Sequence, residues 1–327
     1  LYECRETLQN VLSDSVYNVR VCFGIYRTDN MNESLSFMCD KASYAVASIK
    51  DDTHSFIAYY DDTMLEAAIK YKTIVDEFDD AIKAGEFKMY LQPQISAKTR
   101  RLTGAEALVR RIKPDGTIIS PIDFIPVYEK SGLISRLDRY IWEQAAAKLG
   151  EWKKAGINMS ISVNISPKDF YYIDIFNTFA GLIKKYDIEP SNLKIEITET
   201  TIMSDVPNLM GELEELRKAG FTLEMDDFGS GYSSLNTLKD INVDVLKVDM
   251  GFIKETKNVK KSRIILASVI KMAKELNLLI ITEGVETEEQ VDNLTKLGCD
   301  VFQGYYFSKA IDVNEFEKRY LYRKKAG

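Results

Sequence analysis

The chain has 327 residues, 45% hydrophobic and 28% charged, with a formal net charge of -7, the profile of an ordinary globular protein long enough for a barrel of roughly 250 residues plus a smaller module. That acidic balance argues against binding a nucleic-acid polymer by bulk electrostatics, and no apolar run approaches the roughly 18 residues that cross a bilayer. The single histidine, His54, follows Asp51 and Asp52 and reads as a surface turn residue, which excludes histidine-rich zinc sites, a Ser-His-Asp triad and histidine-aspartate phosphohydrolase chemistry. Cys4, Cys22, Cys39 and Cys299 have no C-x-x-C spacing, as suits free thiols in a reducing compartment. No signal peptide opens the sequence. The expected location is cytoplasmic, either free or as the cytoplasmic part of a larger membrane-anchored protein.

In chain order, residues 1–62 read as a small α+β module. Val19–Tyr26 alternates like a strand, Leu35–Ile49 has helical period, and Ser55–Tyr60 reads as a second strand. So few strands in about sixty residues make a poor core on their own. Residues 63–84 are charged, periodic and free of Gly and Pro, which predicts one linking helix. From residue 85 to 327 the pattern is a barrel. Lys88–Gln92 and Leu102–Arg110 are strands separated only by a turn through Ser96–Arg100. A parallel pair needs a longer crossover, so these two are predicted antiparallel. Strands near 160–164, 193–197, 221–225, 244–248, 278–282 and 300–303 bring the count to eight, with helical segments between them.

Polar residues recur at or just past the C-terminal ends of these apolar runs: Glu106 and Arg110, Asn164, Glu196 and Glu199, Asp226 and Asp227, Lys247 and Asp249, Glu283 and Glu286, and Gln303. In a parallel α/β barrel those ends converge on one catalytic face. Carboxylates meeting there repel one another unless cations sit between them, which implies a metal site built from oxygen ligands. Asp226-Asp227 before Phe228-Gly229-Ser230-Gly231 also fits an ordinary turn. A buried Asn164 is equally satisfied by a metal or by a backbone hydrogen bond. Lys247 and Asp249 leave one strand face, where the lysine reads either as a counter-ion or as part of the chemistry.

These motifs carry a family resemblance. From about Glu86 to Tyr320 the chain resembles EAL domains, the cyclic di-GMP phosphodiesterases named for the triplet present here as Glu106-Ala107-Leu108. The resemblance rests on several motifs in the right order, since one such triplet is common in any helix. It implies a TIM-like (β/α)8 barrel with an antiparallel first strand and a two-metal site of Mg²⁺ or Mn²⁺. Glu106, Asn164, Glu196 and Asp226 are the implied ligands of the first ion, and Asp227 and Asp249 those of the second. Lys247 is then expected to hold and polarise the attacking water, and Glu283 to act as general base or water orienter. Glu199 would order the loop carrying Asp226 and Asp227. Arg110 would reach a substrate phosphate, and Gln92, Gln303 and Glu286 would contact substrate or metal water.

The implied reaction is hydrolysis of cyclic di-GMP to the linear dinucleotide in bacterial second-messenger signalling. The alternative is a receptor or scaffold that binds without cutting. A homodimer through the barrel is compatible with either. One departure is Arg111, where the family usually has tryptophan. Residues 1–62 resemble the C-terminal half of a GGDEF domain, on the order of elements and on Phe23-Gly24-Ile25. The signature motif is absent, so no cyclase activity is assigned.

Overall fold

The computed structural model describes residues 20–28, 32–50, 55–204, 206–228, 241–250 and 259–322, with Thr7, Asp52 and Leu238. Cys4, His54 and the Gly229-Ser230-Gly231 turn lie outside the described residues. Two compact units divide the chain, Leu1–Phe78 and Asp79–Gly327.

In the first unit, β1 (Phe23–Ile25) and β2 (Ile57–Tyr59) pair in parallel. They are joined through α1 (Leu35–Ser48), whose N-cap Ser34 accepts from Phe37 N. Ala45, Ile49 and Ala58 form its small core, with Cys22, Tyr60 and Met64 packed against them. Gly24 is required where α1 crosses β1, because a Cβ there would lie 2.0 Å from the Ala42 carbonyl oxygen. The helix expected over 63–84 is instead two, α2 (Asp62–Asp76) and α3 (Phe78–Lys83), interrupted at Glu77. No Gly or Pro marks that interruption.

In the second unit eight strands close a barrel. They are β3 (Phe87–Ser96), β4 (Leu102–Ile112), β6 (Ile161–Ile165), β7 (Leu193–Thr198), β8 (Leu223–Asp226), β9 (Val245–Asp249), β10 (Leu279–Glu283) and β11 (Val301–Phe302). The first strand, β3, is antiparallel to both its neighbours, β4 and β11, and the other neighbouring strands run parallel. The reason is local: β3 and β4 are joined by a short turn in which Arg100 takes φ 57°, with no room for a crossover helix. Short β5 (Ile118–Ile119) and β12 (Ile311–Asp312) extend the sheet at β4 and β3.

Helices α4 (Pro121–Ser131), α5 (Ile134–Lys154), α6 (Asp169–Tyr172), α7 (Ile175–Tyr186), α8 (Glu199–Met203), α9 (Leu209–Lys218), α10 (Val259–Glu275) and α11 (Glu288–Leu297) follow in chain order. One parity of each strand is apolar and buried, as in Ile161, Val163 and Ile165, or Leu193, Ile195 and Ile197. These residues form the layer under helices that bring in Trp142, Trp152 and Phe179. The other parity then faces the bore, and it carries Ser162 and Asn164, Lys194 and Glu196, Glu224 and Asp226, Lys247 and Asp249, and Glu283. No helix among the described residues is long and apolar enough to cross a membrane.

Candidate active site at the barrel mouth

Lys247 is the centre. Its side chain is 1% exposed, and its ammonium lies 2.7 Å from Glu283 Oε1, 2.8 Å from Glu196 Oε2, 3.3 Å from Asp226 Oδ2 and 3.4 Å from Glu106 Oε2. Four carboxylates from four strands thus face one cation. Burial alone would lower the Lys247 ammonium, but the charges of Glu106, Glu196, Glu283 and Asp226 hold it well above its ordinary value. The carboxyls show the converse strain. Burial, then the charge of Glu106, pushes Glu196 well above the usual carboxylate range. Burial lifts Glu283 to about 8 against the pull of Lys247.

Amides hold Glu106 from the other side. Asn164 Nδ2 donates to Glu106 Oε1 at 3.4 Å, and Gln303 Nε2 donates to Glu106 Oε2. Gln303 is itself gripped, donating to Gln92 Oε1 at 3.3 Å and accepting from Gln94 Nε2 at 3.2 Å. Gln92 in turn donates to the Ser308 carbonyl at 3.3 Å. Asn164 is fixed through its main chain, where its carbonyl accepts from Trp142 Nε1 at 2.9 Å.

The other expected residues stand around this cluster. Asp227 takes φ 56°, a left-handed conformation aspartate tolerates, and its N–H donates to Asp226 Oδ1 at 2.8 Å. Asp249 ends β9 under Gly284, whose φ of 66° turns the chain over it. A Cβ on Gly284 would lie 3.2 Å from Asp249 Oδ1. Glu199 is buried at the start of α8, capped by Thr198. Arg110 is half-buried, 5.9 Å from the Tyr90 ring centre, and burial lowers its guanidinium from the ordinary value. Glu286 is exposed, with its N–H bonded to Gln290 Oε1 at 2.7 Å beside the cap of α11; the structure does not bring it into the lysine cluster. Arg111 is buried with Nε 2.9 Å from Glu86 Oε2 and its guanidinium over the Phe87 ring. It stands as a neutralised pair beside that ring.

The chemistry of these donors, though not their present spacing, suits bound cations. Glu196 Oε1 is buried and has no hydrogen-bond partner among the described residues, and an unpaired buried carboxylate oxygen is costly. A divalent ion beside it would supply both partner and charge, and carboxylate and amide oxygens suit Mg²⁺ or Mn²⁺. Among the described residues no group of three or more His, Cys, Asp or Glu side chains is spaced to hold an ion. Lys247 gathers the carboxylates around itself.

Next to the cluster opens a cavity of about 280 Å³, lined by Arg110, Asn164, Ser166, Trp142, Glu129 and Asp138 with apolar neighbours that include Leu108, Pro121 and Ile141. Asp138 and Glu129 were missed by the strand-end pattern because they stand on helices. The available signal was a charge on an apolar helix face, since Asp138 shares the inward stripe of Ile134, Ile141 and Trp142.

The chain is similar to known proteins in sequence and fold. A family model described as the EAL domain matches residues 75–310; no GGDEF domain is found in the chain by that comparison. The signaling protein YkoW of Bacillus subtilis is 36% identical over 239 residues, 73% of this chain and 30% of that protein. The bifunctional diguanylate cyclase/cyclic di-GMP phosphodiesterase MucR of Pseudomonas aeruginosa is 30% identical over 275 residues, 84% of this chain and 40% of that protein. A solved structure of the MucR phosphodiesterase in complex with c-di-GMP superposes with a TM-score of 0.70 at 32% identity, covering 75% of this chain and 99% of that one. The chain spans less than half the length of either curated relative.

Proposed function

The chain belongs to the EAL domain family, and from that premise we propose that its barrel hydrolyses one phosphodiester bond of cyclic di-GMP to give the linear dinucleotide. The observation that carries this reading is a buried lysine, Lys247, faced by four strand-end carboxylates. Relatives that are cyclic di-GMP phosphodiesterases support the substrate. In this reading Glu106, Asn164, Glu196 and Asp226 hold one divalent ion, and Asp227 and Asp249 hold a second. Bound there, the ions would lower the pKa of water and neutralise charge on the phosphoryl oxygens.

The chain's own groups do the rest. Lys247 donates to the attacking water and orients it, because its ammonium is fixed by carboxylates on several sides. Glu283 accepts the water's proton; burial gives its carboxyl a proton affinity that a solvated glutamate lacks. Gln303 and Asn164 lock Glu106 in place. Arg110, half-desolvated at the cavity edge, binds phosphate, since guanidinium matches its geometry. Apolar walls with Trp142 give the adjoining cavity the form of a slot for one base, with Asp138 at its edge. Glu199 stabilises the segment leading toward Asp226 and Asp227. Gln92 and Glu286 contact substrate at the rim in this reading, Glu286 only after its loop turns inward. The β-α-β unit at the N-terminus is read as the C-terminal half of a GGDEF-like module, supported by its element order.

The test is incubation of the purified chain with cyclic di-GMP and Mg²⁺, read by chromatography. Conversion to the linear dinucleotide is expected. Binding without cleavage would make the chain a receptor, and neither would overturn the reading.

A further inference from the structure

Arg110 stands on a stretch of β4 that the sheet holds from one side. On one edge, β6 pairs with β4 at Ala105 and Glu106 and β5 pairs with it at Arg111 and Ile112. Between those points the ladder is made by β3 on the other edge, with Met89 opposite Val109 and Lys88 opposite Arg110. The Arg110 guanidinium is turned back on its own strand, where Nη1 donates to the Val109 carbonyl at 2.7 Å. The Tyr90 ring beside it, 5.9 Å away, also belongs to β3. Where the guanidinium sits therefore follows the end of β4 and the start of β3.

One buried pair ties those two strand ends together. Glu86 Oε2 accepts from Arg111 Nε at 2.9 Å, with the side chains 14% and 4% exposed. The Glu86 carbonyl accepts from Ile112 N at 2.8 Å, and the Arg111 guanidinium lies 5.7 Å from the Phe87 ring centre. Glu86 is fixed in turn by the end of α3. Its N–H donates to the Ala81 carbonyl at 2.9 Å and that of Gly85 to the Ile82 carbonyl at 3.0 Å, the two hydrogen bonds that close a helix on a left-handed glycine, here at φ 65°. Neighbouring side chains of a strand leave on opposite faces. Arg111 thus grips from behind the sheet while Arg110 faces the mouth, and a twist of β4 at this rung moves both.

We propose that Glu86 and Arg111 are positioning residues for phosphate binding: their ion pair holds the rung of β4 that carries Arg110 at the orientation from which the guanidinium meets a ligand phosphate. This rests on the reading that Arg110 binds a phosphate of cyclic di-GMP. Stability alone gives little reason for such a pair, since apolar side chains of similar size at a buried site often fold as well or better. What the ion pair adds is direction. A guanidinium and a carboxylate meet in few geometries, whereas apolar groups tolerate many. Phosphate recognition by a guanidinium is directional too, so a small rotation at Arg110 weakens it.

The experiment is a double-mutant cycle on the full chain, with calorimetric titration of cyclic di-GMP in Ca²⁺ to suppress turnover and steady-state cleavage in Mg²⁺. Glu86→Met with Arg111→Met removes the pair without leaving a lone charge, and should melt at or near the wild-type temperature. It should weaken binding and raise KM by about tenfold, with kcat kept within about threefold. In an Arg110→Ala background the same two substitutions should change affinity by less than about twofold, because the group they position is gone. If the doubly substituted chain fails to fold, Glu86→Gln keeps an acceptor for Arg111 without the charge. It should weaken binding by about threefold, again only where Arg110 is present. Unchanged affinity in the folded variants, or an equal loss with and without Arg110, overturns the inference while leaving the ligand in place. Binding by Arg110→Ala as tight as wild type overturns Arg110 as the phosphate contact and this inference with it. A wild type that does not bind cyclic di-GMP overturns the ligand reading as well.

Discussion

Two lysines point into the same barrel bore and meet opposite circumstances. Lys194 pairs with one carboxylate, Glu224, at 2.8 Å. Lys247, two strands away, faces four. The first is a balanced pair of the kind that fills a barrel interior, where a buried acid must be matched. The second is an excess of negative charge that one ammonium cannot neutralise. A fold keeps such an imbalance only at a cost, and divalent cations are the partner that offsets it. Of these two lysine sites in the bore, only the unbalanced one has the makings of a chemical centre.

The largest expected effect comes from removing carboxylates on the unbalanced side. Glu106→Ala and Asp226→Ala should each reduce cleavage of cyclic di-GMP by about a thousandfold or more, measured by chromatography at saturating Mg²⁺. Both should melt at or above the wild-type temperature without metal, because each relieves repulsion. Near-normal cleavage by either variant would remove its ligand assignment. Next, chelation should abolish cleavage and Mg²⁺ or Mn²⁺ restore it, with Ca²⁺ a poor substitute because it coordinates more loosely. Robust turnover in excess chelator would sink the two-metal reading.

The balanced pair should behave differently. Lys194→Met leaves Glu224 buried and alone, and should cost about 3–5 kcal/mol of stability in a denaturant titration. Lys194→Met with Glu224→Met should recover most of that loss and cleave within about threefold of wild type. A double variant that folds yet cannot cleave would place the lower pair in the chemistry and erase the contrast. The smallest effect is in pH. Glu283 rises from an ordinary 4.5 to about 8 through burial, so its carboxyl favours the folded state at low pH. That contribution is present below about 4.5 and lost as the pH rises toward 8. Chelated protein should therefore lose stability over that window, and Mg²⁺ should flatten the decline. A chelated protein whose stability rises over the same window would contradict the excess of negative charge.

Much of this was legible in the sequence because it follows from chain geometry. Strand-length apolar runs ending in Glu106, Glu196, Asp226 and Lys247 predict both the barrel and the meeting of those groups at one mouth. The short turn before Leu102 likewise predicts the antiparallel first strand seen in β3. What escaped has physical reasons too. Lys194 in Leu193-Lys194-Ile195 reads as a solvated face, but a closed barrel buries both faces of a strand, so the alternation could not reveal the pair with Glu224. Asp138 stands on a helix, and only tertiary packing brings it to the cavity. The interruption at Glu77 has no sequence marker, and Glu286 lies past its strand on the exposed approach to a capped helix.

The most direct test of the unbalanced centre is Lys247→Ala beside Glu283→Gln, each followed by single-turnover cleavage and by calorimetric binding of cyclic di-GMP. Loss of cleavage by about a hundredfold or more, with affinity kept within about tenfold, is expected if both groups act on the water and its proton. Weakened binding with unchanged cleavage per bound molecule would contradict it.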